Sequence, residues 1–149
     1  MIEKIIALVA IILTAAPILG QNYYGEGYDD IVEHVNFLET HNPDLNIVVS
    51  KTASSIHVSV KGPDLEDITY IFTDSVCTRI AMKFSCEGCF NLQHKKEILR
   101  GKWKKDEAGN LHSIKQNSTL RISSIDDPDY CLTVEIGKLA ITRQEYRKL

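Results

Sequence analysis

A chain of 149 residues with a formal net charge of −3 is a poor partner for nucleic acid or an anionic membrane surface, because both take their affinity from clustered Lys and Arg. Its one basic stretch, Lys95-Lys96, Arg100, Lys102, Lys104 and Lys105, is closed at once by Asp106 and Glu107, the pattern of a solvated face. The length suits one domain with a real but modest core.

The first segment, 1–20, reads as a cleavable signal peptide. Lys4 supplies a short positive region, Ile5 to Ala16 is apolar apart from Thr14, and Pro17 breaks the run before Gly20 and Gln21. The apolar run is shorter than the roughly 20 residues that span a bilayer. The expectation is a secreted or periplasmic protein whose mature part, 21–149, has no membrane span.

A helix is expected from about Asp30, where Asp30 and Glu33 have capping-box spacing. Ile31, Val32, Val35 and Leu38 recur at helical period, and Asn42-Pro43 stops the run. Four strands should follow. Leu45, Ile47 and Val49 alternate in the first and Ile56, Val58 and Val60 in the second, before the Gly62-Pro63-Asp64 turn. Ile68, Tyr70 and Phe72 carry the third. Thr73-Asp74-Ser75 is a tight connection to the fourth, in which Val76, Thr78, Ile80, Met82 and Phe84 share a face.

The pattern then repeats. A second helix is expected from about Phe90 to Arg100, ended by Gly101. Further strands are expected around Trp103, Leu111, Leu120 with Ile122, and Tyr130 to Ile136. Ile56-His57 corresponds to Leu111-His112, and Val32-Glu33-His34 to Leu92-Gln93-His94. The predicted fold is α+β, with two tandem repeats of a helix and a four-stranded antiparallel sheet (about 29–85 and 86–137) and a short C-terminal helix over 142–149. Thr142 and Glu145 form a capping box for that last helix. In element order alone, this layout resembles the tandem repeats of the secreted β-lactamase-inhibitory proteins and, more distantly, the saddle of the TATA-binding protein. Such a likeness implies a fold, not a function.

Four cysteines, Cys77, Cys86, Cys89 and Cys131, all fall in the mature part. An even count in an exported chain argues for disulfides, and four cysteines allow three pairings. Cys77 and Cys131 both fall out of phase with the large apolar residues of their strands, so a bond between them across the outer sheet face would staple the two halves. Cys86-Glu87-Gly88-Cys89 follows a strand and opens a helix, an order similar to that of thiol–disulfide oxidoreductases, whose other features are missing here. A structural disulfide is the simpler reading. Zinc needs a fourth ligand where Leu99 stands, after Cys86, Cys89 and His94.

No serine lies in a nucleophile elbow and no Gly-rich loop leads into a helix. Asp126, Asp127 and Asp129 around Pro128 lack calcium-loop spacing. Asn117-Ser118-Thr119 is a glycosylation sequon. The reading therefore assigns no catalytic residue, cofactor or metal. It points to a non-enzymatic binding module for a protein or small ligand, and not for nucleic acid. The expected binding face is the outer side of the sheet, carrying His57, Thr69, Thr73, Arg79, Lys83, Arg121 and Thr133. A redox protein using Cys86 and Cys89 and a purely structural envelope component are the alternatives.

Overall fold

The computed structural model describes residues 23–61, 66–86 and 102–149. The expected signal at 1–20, the turn at Gly62-Pro63-Asp64, Cys89 and the second helix fall wholly or mainly outside them. Among the described residues no helix is long and apolar enough to cross a membrane.

The chain opens with helix α1 (Tyr28–His41) and continues through strands β1 (Asn46–Lys51), β2 (Ser55–Lys61), β3 (Glu66–Thr73) and β4 (Val76–Phe84). Strands β5 (Lys104–Lys105), β6 (Leu111–Ser113), β7 (Ser118–Ser124) and β8 (Leu132–Lys138) follow, and helix α2 (Arg143–Lys148) closes it. All eight strands join one antiparallel sheet in the order β1-β2-β3-β4-β8-β7-β6-β5. The two halves meet where β4 pairs with β8, with Ile80 opposite Ile136 and Met82 opposite Val134.

Alternation places the core on one face. Ile56, Val58, Val60, Ile68, Tyr70, Phe72, Ile80, Met82, Phe84, Leu120, Leu132, Val134 and Ile136 are all buried there. Helix α1 lays Ile31 and Val35 into this core, and Leu38 is buried on the same stripe. Burying an aliphatic side chain of this size contributes about 1.5–3 kcal/mol, so the stripe holds the helix to the sheet more firmly than helix propensity does.

The helix begins earlier than the sequence suggests, and Asp30 is not its cap. Gly27 is the N-cap, and no side chain bonds there. Main-chain bonds to β4 and the turn before it fix the start instead: Tyr28 N donates to Ser75 O at 2.8 Å, Gly25 N to Cys77 O at 2.8 Å, and Cys77 N to Glu26 O at 2.8 Å. Tyr28 also packs edge-on against Phe72 and donates its hydroxyl to Thr52 O. Helix α2, in contrast, has the full capping box between Thr142 and Glu145.

One expectation about β4 is overturned. The β3–β4 register shifts between Ile71 and Phe72, so Ile71 faces Arg79 while Phe72 faces Cys77. Thr78 is the extra residue of this β-bulge, and an extra residue reverses the phase of everything before it. Val76 is therefore exposed and Cys77 is buried in the core. The Cys77 thiol donates to Arg79 O at 3.6 Å, and burial pushes its pKa up to about 11. Cys77 and Cys131 are both free. Cys131 also packs against the core, and the anticipated Cys77–Cys131 staple is not formed, because the antiparallel β4–β8 pair holds the two at opposite ends: Arg79 faces Gly137 near Cys77, while Cys131 N donates to Phe84 O at the other end.

Candidate functional site: the outer face of the sheet

Side chains that alternate with the core residues form the outer face, and the strand register arranges them in rows. One row runs Ser59, Asp67, Lys83, Thr133 and Ser123 across β2, β3, β4, β8 and β7. The next runs His57, Thr69, Ala81, Glu135 and Arg121. A third runs Ser55, Ile71, Arg79, Gly137, Thr119 and His112. Six of the seven expected face residues thus lie in three adjacent rows. Thr73 lies apart, at the β3–β4 hairpin end, where its hydroxyl is 3.2 Å from that of Thr78.

At the β2–β3 end, Asp67 bridges two partners. One carboxylate oxygen pairs with His57 Nε2, and the other accepts from the Tyr130 hydroxyl at 3.0 Å. The Lys83 ammonium lies 5.4 Å from the centre of the Tyr130 ring, a cation–π distance. Burial, and then the bond to Asp67, raises the Tyr130 pKa, while a bond with Ser59 pulls it the other way. Ser59, Tyr130, Asp67 and His57 are thus joined in one polar network.

At the β4–β8–β7 seam the face sinks into an open cleft of about 380 Å³. Thr78, Arg79, Thr119, Arg121, Glu135, Ile136, Gly137 and Lys138 line it. Arg79 donates to Glu135 Oε1 at 2.6 Å. Both side chains are substantially exposed, so this pair contributes little to stability; its effect is to orient the Arg79 guanidinium.

The cleft wall is anchored from its β6 side by a hydrogen-bond chain that begins in the C-terminal segment. Ala140 N donates to Thr119 Oγ1 at 2.8 Å, Thr119 Oγ1 meets His112 Nδ1 at 2.9 Å, and His112 Nε2 meets Asp106 Oδ2 at 2.9 Å. Every polar atom in this chain is satisfied when Nε2 carries the ring proton. Asn110 adds main-chain and side-chain bonds to Asp106. The Asn110 amide and then the His112 imidazole hold the Asp106 carboxyl at about 2. His112 is buried, so it belongs to the scaffold of the cleft rather than to its surface.

The sequence reading missed Asp67, Tyr130, Glu135 and Gly137. Glu135 and Gly137 carried a readable signal: they alternate with Val134 and Ile136 and so had to face outward. Asp67 and Tyr130 are joined only by tertiary contact. Among the described residues no group of three or more His, Cys, Asp or Glu side chains is placed to hold a metal ion. No protein-family model, curated protein or solved structure matches this chain.

Proposed function

We propose that residues 21–149 form an exported, non-enzymatic binding module whose working surface is the outer face of the sheet. The observation that carries this reading is the contrast between the two faces. The inner face is apolar and meets α1, whereas the outer face aligns His57, Thr69, Arg79, Lys83, Arg121 and Thr133 around an open cleft. Open antiparallel sheets with one polar face suit contact with a protein or ligand. The test is capture from the native extract of the source cells by wild-type chain and by the double variant Lys83→Glu, Arg121→Glu. A retained partner should bind the variant at least about tenfold more weakly, a change of about 1.4 kcal/mol; equal retention by both would contradict the assignment.

The internal duplication belongs to the same reading. The strand order is a mirror sequence, β1-β2-β3-β4 against β8-β7-β6-β5, with the two fourth strands paired at its centre. His57 faces Thr69 across β2 and β3, as His112 faces Thr119 across β6 and β7. These correspondences support two unequal copies of one helix-plus-four-strand unit. The second copy is eroded to a two-residue β5 and a three-residue β6.

A disulfide between Cys86 and Cys89 completes the proposal. An even cysteine count in a chain read as exported argues for disulfides, and with Cys77 and Cys131 free the Cys86-x-x-Cys89 pair is the bridge this reading supports. Peptide mapping of the unreduced protein after alkylation should find Cys86 linked to Cys89 and both other cysteines alkylated once the chain is denatured. A bond from either of them to Cys86 would rule this pairing out.

A further inference from the structure

Gly137 stands inside β8, a central strand paired on both sides, where glycine is a weak choice. It loses more backbone freedom on folding than other residues and packs nothing. The fold does not demand it. Its backbone is not among those with positive φ, and a Cβ built there meets nothing within 4 Å. The bare main chain is instead the floor of the outer-face cleft.

The rim has a definite charge. Arg79, Arg121 and Lys138 line the cleft with a single carboxylate, Glu135, on a chain whose overall charge is −3. Arg121 is directly opposite Glu135 in the strand register, yet the Glu135 carboxylate is engaged by Arg79. Arg121 has no ionic partner among the described residues. A guanidinium presents paired N–H donors that match the two oxygens of a carboxylate or phosphate, which is the natural complement of such a rim.

We propose that the cleft over Gly137 binds a small ligand through an oxyanion group, carboxylate or phosphate, held by Arg121 beside the Arg79–Glu135 pair and seated on the exposed backbone of β8. This rests on the outer-face reading above and names the ligand class for it. The cavity volume is in the range of small-ligand sites. Glu135 keeps Arg79 in place, and the missing side chain at 137 lets the ligand reach the main chain.

The test uses the full mature chain, isotope-labelled, titrated separately with inorganic phosphate and with citrate at constant ionic strength set by chloride. Saturable shifts at Gly137 and at the Arg79 and Arg121 side-chain signals are expected. Phosphate alone saturating the site identifies a phosphate group, and citrate alone a carboxylate. Arg121→Gln should weaken binding about tenfold, the scale of one charge-assisted contact. Gly137→Leu should abolish it while leaving the thermal midpoint at or above that of wild type. Absence of saturable shifts with both probes overturns the proposal, as does affinity unchanged by both substitutions. A marked loss of stability in Gly137→Leu, with Gly137→Ala behaving alike, removes its premise of an open floor. If both probes fail while the Lys83→Glu, Arg121→Glu variant still loses the captured partner, the oxyanion assignment falls and the outer-face reading stands.

Discussion

Ile80→Ala and Ile136→Ala are each expected to lower the unfolding free energy by about 2–5 kcal/mol, the range for truncating a large aliphatic side chain in a close-packed core. Both residues are buried, at 2% and 1% exposure, and they face each other across the β4–β8 pair. Among the described strands, that pair is where the β1–β4 half of the sheet meets the β5–β8 half. The double variant should therefore lose less than the sum of the two singles, with a coupling of about 0.5–3 kcal/mol, because contacting residues share the cavity that either truncation opens. Urea unfolding of the four proteins measures this. Strict additivity would mean that the two side chains do not meet and that the halves are joined some other way.

His112→Ala should cost about 1–3 kcal/mol, since it deletes a buried group that makes hydrogen bonds from both ring nitrogens. The loss should be felt at the cleft as well. Thr119 is one of its walls and is held by His112 on the neighbouring strand, so oxyanion binding should weaken along with stability. The same network sets an acid limit. Asp106 titrates at about 2 in the folded chain against an ordinary 3.8, and a carboxyl depressed by folding stabilises the native state above its unfolded pKa. Its contribution is complete above about pH 4 and is lost as the pH falls towards 2. Asp106→Asn should remove that part of the acid dependence, so the gap in urea midpoint between wild type and variant should shrink across this window. A constant gap would show that Asp106 is not held by the network.

Local pattern carried most of the elements. The stripe Ile31, Val35, Leu38 defined α1, period-two alternation gave β2, β3 and the later part of β4, and the Thr142–Glu145 spacing gave the cap of α2. The tight turn after Thr73 was also legible, although its two central residues, Asp74 and Ser75, both take positive φ without a glycine. The bulge at Thr78 left no such trace, because an extra residue in a strand changes register without changing composition. That one residue moved Cys77 from the outer face to the core, and the antiparallel β4–β8 register, equally unreadable from local pattern, put Cys131 at the far end of β4 from it. The start of α1 was misplaced for a related reason: main-chain bonds to Ser75 and Cys77 fix it, and no local spacing encodes a partner about fifty residues away. At the site, alternation identified which residues face outward. What it could not give was the β4–β8 pairing that brings Arg79, Glu135, Gly137 and Arg121 into one cleft, since that is a contact between distant parts of the chain.

The central claim is that partners meet the outer face and not the α1 side, and histidine footprinting separates the two. His57 is 40% exposed on the outer face, while His41 is exposed at the end of α1 and stacks on Phe37. Diethylpyrocarbonate modification, read by mass spectrometry with and without the captured partner, should show His57 protected on binding and His41 modified as before. Protection of His41 with His57 unchanged would place the interaction on the helix side and contradict the account.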